Sequence, residues 1–276
     1  ERKAFTIIIR DISIRKKAEK LLKEYNQTLE EEVSKRTKEL IKLNNEKNEI
    51  LGVAAHDLKN PLSNIKMLAR VLLEENLSKD DIKEFAGDIL STSESMFELI
   101  RNLLDVNAIE QGKIKMNITD FDAGPMLKHI ISGYTRSAQK KGILIEYNDN
   151  DNGKYIRADK NAFMQVMDNL ISNAVKYTPF NKKVFVSFSE LGKYIVVEVR
   201  DEGPGISEED QKKLFGKFAR LSARPTGGES STGLGLSIVK KLMEIMEGRV
   251  WCESAEGEGS IFKTAFPKAS NLICSQ

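Results

Sequence analysis

The stretch MDNLISNAVKYTP, Met167 to Pro179, decides the reading of the C-terminal half. It closes an apolar-faced helical pattern that starts at Lys160 and is stopped by Pro179. Asn169 and Asn173 stand four apart, so they share one face of that helix. Asparagine is a mediocre helix former, because its amide competes for nearby backbone groups. Two on one face, beside Leu170 and Ile171, need a reason. Hydrogen bonds within a core are the plain one. The sharper one is amide-oxygen ligation of Mg²⁺ carried by phosphates. Lys176 lies one turn further on and can face phosphate. Tyr177 either lines a nucleotide pocket or packs.

Two glycine-rich segments lie downstream, and phosphates need bare backbone N–H groups. DEGPGIS, residues 201–207, follows an alternating strand pattern that ends at Arg200. TGLGLSIVKKL, residues 232–242, opens directly into a helix. Gly233 and Gly235 would let an anion approach that helix N-terminus. Neither segment fits a dinucleotide fingerprint or a P-loop. Each alone could also be a turn and nothing more. Asp201 is a strand-end turn residue or an acceptor for an exocyclic amine such as adenine N6. Between them, a helix at 208–215 leads to LSARPTGGESSTG, which reads as a mobile loop.

The other elements of this half read as a helix over 121–140, anchored by Phe121 and by Met126 to Ile131, and a helix over 234–246. Strands are expected at 143–147, 154–157, 184–188, 194–200, 250–252 and 260–266. Helices with antiparallel strands in this proportion give a two-layer α/β sandwich.

The N-terminal half differs. From Ile14 to Leu73 the only glycine is Gly52 and the only proline Pro61. Such a helix would run about 90 Å. Leu22, Leu29, Arg36, Leu43 and Ile50 recur at seven, interleaved with Asn26, Val33, Leu40, Lys47 and Ala54. This is a heptad seam with polar breaks, and it reads as a parallel dimeric coiled coil; a solitary charged linker helix is the alternative. Between Arg15 and Glu49, 18 of 35 residues are charged, and Glu19–Lys23, Glu31–Lys35 and Glu32–Arg36 pair at i,i+4. Upstream, Phe5 to Arg10 reads as one strand. Downstream, Pro61 should bend the helix gently, and EENLSKD (74–80) reads as a turn with Ser78 as N-cap and Asp81 completing a capping box. A second helix carries Ile82, Phe85, Ile89, Ser93, Met96, Ile100 and Leu103 on one side, widened by Leu99 and Leu104, until Gln111-Gly112-Lys113 breaks it. Two copies of this hairpin would close a four-helix bundle.

AAHDLKNPL, residues 54–62, puts His56 in mid-helix beside Asp57, with Asn60 one turn on. A helical histidine is commonly surface or filler. Here a carboxylate stands next to it, and an imidazole with an ordinary pKa near ~6.5 is largely neutral and nucleophilic at pH 7. His129 has no such setting and reads as structural.

The 43 basic and 41 acidic residues leave a net charge of +2, which gives no argument for a nucleic-acid partner. Cys252 and Cys274 form no CxxC site and suit a reducing compartment. No apolar run approaches the ~20 residues of a membrane span. There is no signal peptide and residue 1 is Glu, so a piece of a longer parent is expected, one whose full length could carry a membrane anchor, with this part cytoplasmic.

Together these motifs resemble the two-component sensor histidine kinases. AAHDLKNPL is similar to their phosphoacceptor box, DNLISNAVKYTP to their Asn-rich box, DEGPGI and TGLGLSIV to two glycine boxes, and LFGKF to the phenylalanine box between them. EGEGSIF (256–262) resembles the last glycine-rich motif, and FTIIIRDISIRKKAE (5–19) the exit of a PAS sensor domain. The resemblance implies a multidomain α plus α/β fold: a sensor remnant (1–13), a signalling coiled coil (14–50), a dimerisation and histidine phosphotransfer hairpin (51–110) forming a dimeric four-helix bundle, and a two-layer α/β sandwich ATP-binding domain of the Bergerat type (111–270).

It also implies roles. His56 would accept phosphate through Nε2. Asp57 would be its acid/base partner, although the family more often has Glu there. Asn60 would serve dephosphorylation of the partner. Asn173 would ligate Mg²⁺ with Asn169 nearby, and Asp201 would bind adenine with Gly203 and Gly205 shaping the pocket. Thr232, Gly233, Leu234, Gly235 and Leu236 would cradle phosphates under a lid of residues 219–232, anchored by Phe215 and Phe218. Lys176, Tyr177 and Arg220 would add contacts. Gly257 and Gly259 would shape the pocket edge. ATP and Mg²⁺ are the implied cofactors. The implied partners are a second copy, a response-regulator receiver domain and an upstream sensor domain. A non-catalytic dimeric scaffold with a degenerate ATP site is the alternative. Transfer within one chain and across the dimer both stay open.

Overall fold

The computed structural model describes residues 11, 13–73, 77–111, 115–148, 154–219, 221–227, 229 and 233–269. The expected strand at Phe5–Arg10 lies outside them. The chain divides into two compact units at Val53/Ala54.

The first unit contributes the N-terminal part of α1, Ser13–Val71. Here the helix rests on its own surface chemistry. Glu32 pairs with Arg36 at 3.8 Å, and Arg15–Glu19 and Lys20–Glu24 close at 2.8 and 3.8 Å. Exposed pairs of this kind stabilise little individually. The seam residues Leu22, Leu29, Val33, Leu40 and Leu43 are all exposed in the single chain. That is the condition of a helix whose apolar stripe is not covered by its own chain.

The second unit begins with the rest of α1, which continues through Pro61. α2, Lys79–Glu110, starts as its sequence dictates. The Ser78 hydroxyl accepts from the Asp81 N–H at 3.1 Å, and the Ser78 N–H donates to the Asp81 carboxylate at 3.1 Å. Two orphan donors are thereby satisfied. In the single chain the expected stripe is only partly covered. Ile82, Ile100 and Leu104 are exposed and Phe85, Ile89, Met96 and Leu103 half-buried, while Leu99, Asn102 and Ile109 are buried. The reason is tertiary: the C-terminal half of α2 joins the hydrophobic core of the α/β layer.

That layer follows. β1 (Ile118–Asp122) leads into α3 (Ala123–Lys140), β2 (Leu144–Asn148), β3 (Tyr155–Asp159) and α4 (Lys160–Tyr177). β4 (Lys183–Leu191), β5 (Tyr194–Asp201), α5 (Glu208–Lys213), α6 (Gly235–Ile245), β6 (Arg249–Ser254) and β7 (Ser260–Pro267) complete it. The expected helix over 121–140 therefore begins two residues late. Phe121 sits in β1 opposite Ile156 of β3, and the Asp122 carboxylate caps α3 by accepting from the Gly124 N–H at 3.0 Å. β1 and β3 form a two-stranded ribbon, and the main sheet runs β2-β4-β5-β7-β6. It is mixed, because β2 and β4 are parallel. A β3–α4 crossover joins those two strands, and a crossover is what a parallel pair requires.

Burial alternates along β4, where Val184, Val186 and Phe188 face the core. α3, α4 and α6 supply the other side, with Leu127, Met167, Leu170, Ile171 and Ile238 fully buried. Phe163 packs 5.2 Å from Phe266 and edge-on to Phe121 at 5.7 Å. This two-layer sandwich holds α4 and the N-terminus of α6 rigidly side by side, which sets up the site.

Candidate active site

Asn169, Asn173, Lys176 and Tyr177 lie on one wall of a cavity of about 580 Å³. The Asn169 side chain donates to the Gln165 carbonyl at 2.9 Å. Its Oδ1 lies against Gly235, so closely that a methyl at position 235 would collide with it. The glycine motif and the asparagine motif thus touch. α6 opens at Gly235, and a helix N-terminus suits an anion. Leu234 is fully buried beneath that turn and Leu236 lines the cavity.

Asp201 lines the same cavity. Only 4% of it is exposed, and it accepts from the Gly203 N–H at 2.8 Å. Burial pushes its carboxyl up to about 6, against the stabilising backbone N–H groups of Gly203 and Ser260. Gly205 has φ +75° and lies against the Ala255 carbonyl, so any side chain there would clash. The Gly257 N–H donates to the Pro204 carbonyl at 2.7 Å. EGEGS therefore braces the pocket edge.

Phe215 and Phe218 pack half-buried on the core. Phe218 has φ +53°, uncommon for a bulky residue. Its backbone and that of Ala219 abut Gly233, which itself has φ +67°. Arg220 and Thr232 lie outside the described residues.

One group in this region carries no signal in the sequence. Lys141, at the end of α3, is buried. Its Nζ donates to the Val175 and Lys176 carbonyls at 2.9 and 3.0 Å, to Thr226 Oγ1 at 2.7 Å and to the Glu229 carboxylate at 3.2 Å. One ammonium thus ties the segment after Phe218 to the end of α4. Partial burial opposes the Glu229 charge, but backbone N–H groups and Lys141 outweigh it and hold that carboxyl below its ordinary value.

The acceptor side comes from the hairpin. Asp57, Asn60 and Pro61 of α1 line the same cavity, with Glu98, Leu99 and Asn102 of α2. His56 Nδ1 is 3.2 Å from Asp57 Oδ1 and 3.4 Å from Asn60 Nδ2. Both cannot be hydrogen bonds in one tautomer. In the tautomer that donates from Nδ1 to the shorter contact, Asp57 Oδ1, the lone pair lies on Nε2. The His56 side chain is 62% exposed and Asp57 only 17%. Lys176, expected at phosphate, sits 4.0 Å from Glu98 across the gap. His129 is exposed on α3, away from these motifs.

Two families match the chain. Residues 46–112 match the His Kinase A (phospho-acceptor) domain. Residues 158–270 match the Histidine kinase-, DNA gyrase B-, and HSP90-like ATPase family. The chain carries a sensor histidine kinase catalytic core. This core is 31% identical to the circadian input-output histidine kinase CikA of Synechococcus elongatus, over 90% of this chain and 34% of that protein. It is 28% identical to the sensor histidine kinase WalK of Bacillus subtilis, over 82% of this chain and 37% of that protein. The chain thus spans about a third of those curated relatives. The histidine kinase ThkA, solved in complex with the response regulator TrrA, superposes with a TM-score of 0.62 at 25% identity, over 80% of this chain and 61% of that one. The kinase core joins a helical hairpin to an ATPase sandwich, as the motifs imply.

The residues fit a metal–nucleotide. Among the described residues no cluster of three or more His, Cys, Asp or Glu forms a metal site by itself. A neutral amide such as Asn173 is the kind of oxygen donor that would complete the set of a metal carried by phosphate oxygens. Among the described residues no helix is long and apolar enough to cross a membrane.

Proposed function

We propose that the kinase core phosphorylates His56 from Mg·ATP and passes the phosphoryl group to an aspartate of a response-regulator receiver domain. One observation carries this reading: the histidine motif and the nucleotide motifs line one cavity. Its volume of about 580 Å³ falls in the usual range for small-molecule sites.

Asp201 accepts the adenine amine in its carboxylate form. Asn173 would help hold Mg²⁺, which would supply charge neutralisation to the phosphates. The N-terminus of α6 holds the phosphate end. His56 attacks the γ-phosphorus through Nε2, forming a P–N bond as the bond to the β–γ bridging oxygen breaks and ADP leaves with the electron pair. Asp57 stabilises the positive charge that the ring gains by holding the Nδ1 proton. Alignment and charge stabilisation supply most of the rate. The P–N species then phosphorylates the receiver aspartate. A second copy, covering the exposed stripes of the hairpin and the α1 seam, and an upstream sensor domain complete the assembly, with the core in the cytoplasm.

Incubation with radiolabelled Mg·ATP tests this. The expected product is an acid-labile, base-stable label on the wild-type chain and none on His56→Gln. Labelling that persists in His56→Gln, or a wild-type chain that binds ATP and is never labelled, sinks the reading.

A further inference from the structure

We infer that phosphoryl transfer runs within one chain: the nucleotide phosphorylates the His56 of its own polypeptide, not that of a partner copy. The inference rests on the kinase reading above and decides which imidazole is the substrate.

Two clasps hold the α/β layer against its own hairpin. Gln165 Nε2 donates to Asp105 Oδ2 at 2.7 Å near one end of α4. Lys176 Nζ meets Glu98 Oε1 at 4.0 Å near the other. The pairing 105 with 165 and 98 with 176 makes α2 and α4 run in opposite directions. The middle of the contact must then bring the residues around 102 opposite those around 170. Leu99 and Asn102 are both buried there, and Asn102 lines the cavity together with Asn169 and Asn173. The face of α4 assigned to the metal–phosphate end therefore looks at the chain's own hairpin.

The opposite wall is also its own. Asp57, Asn60 and Pro61 of the same α1 line that cavity. His56 shares a helix face with Asn60, one turn along. It is tethered at Nδ1 to Asp57, which is itself part of the wall. His56 itself does not line the cavity; its side chain is 62% exposed, and it adjoins Asp57, which does line it. A partner's imidazole would have to enter a space whose acceptor side is already built from this chain's Asp57, Asn60 and Pro61. It would also have to be accommodated without breaking the Asp105 and Glu98 clasps.

A mixed dimer separates the two routes. Wild-type chains and doubly disabled His56→Gln/Asn173→Asp chains, carrying different tags, are combined and the mixed species isolated by sequential affinity steps. Within-chain transfer labels the wild-type chain of the mixed dimer at the same rate as a chain of the wild-type dimer. Transfer across the dimer leaves the mixed dimer unlabelled, because the disabled chain neither gives nor receives, and that result overturns the inference. If the chain is a monomer, dilution replaces the mixed dimer: a labelling rate per chain independent of concentration supports the inference, and a second-order rate overturns it. A wild-type chain with no label under any condition strikes the kinase reading instead.

Discussion

Asp201 ties stability to pH, and under the proposed function it ties nucleotide affinity to pH in the opposite sense. Its carboxyl stands at about 6 rather than 3.8 because burial disfavours the charge. The folded chain therefore holds this proton more tightly than the unfolded one. The stability that Asp201 contributes is full below about pH 4, falls as pH rises through about 6, and is flat beyond. At about 1.4 kcal/mol per pKa unit, the loss is roughly 2 to 3 kcal/mol. An adenine amine needs the charged acceptor, so nucleotide affinity should run the other way and weaken below pH 6. Asp201→Asn should remove the pH slope between 4 and 6 from thermal melts, raise the melting temperature at pH 7.5, and weaken ATP binding by about tenfold to a hundredfold, as expected for one buried charged hydrogen bond. Calorimetric titration across pH checks the second part; wild-type affinity in the variant would remove adenine from Asp201. At this scale the sequence was legible where a motif forces chemistry: Asn169, Asn173, Asp201 and Gly235 converge on one cavity. Lys141 and Asn102 were not legible. Nothing around them departs from ordinary helix and turn composition, and only tertiary neighbours give them partners or burial.

Elements were legible where local signals are strong. α4 spans Lys160–Tyr177 as its period and Pro179 dictate, and the capping box at Ser78 forms. β1 was missed because ITDFD is short and carries two aspartates, which strands disfavour. The parallel pairing of β2 with β4 was missed because strand direction is set by the crossover, not by the strand's own residues. The described segment 221–227 shows the same dependence on distant partners. Lys141 binds two carbonyls at the end of α4 and both Thr226 and Glu229. Lys141→Met keeps the stem but leaves the carbonyls and Glu229 without their cation. Removing one member of a largely buried pair should cost about 2 kcal/mol or more, with partial exposure of Glu229 reducing the full penalty. Hydrogen exchange at 221–227 should accelerate more than exchange in β4 and β5. Equal acceleration everywhere would mean that Lys141 supports the whole domain and not this segment.

At the scale of the molecule, the hairpin and the first unit leave the same problem unsolved. Phe97, Leu90 and Leu104 on α2 are 70, 62 and 62% exposed, and the α1 seam is exposed from Leu22 to Leu43. Large exposed apolar positions at helical spacing are what a second copy covers. Leu90→Asp with Phe97→Asp should therefore shift the mass by light scattering from dimer to monomer while the fold of the α/β layer, read by near-ultraviolet circular dichroism, is kept; an unchanged mass would place the dimer contact elsewhere. The seam makes a sharper demand. One residue inserted after Leu40 rotates everything beyond it by about 100°. A seven-residue insertion that repeats the heptad restores the face at the cost of length alone. If α1 acts as a paired helix that sets the state of the core, the one-residue insertion should change the autophosphorylation rate and weaken the dimer, and the seven-residue insertion should restore both. A solitary helix has no seam to keep in register. Equal rates and equal dimer affinity across both insertions would then leave the heptads without a role.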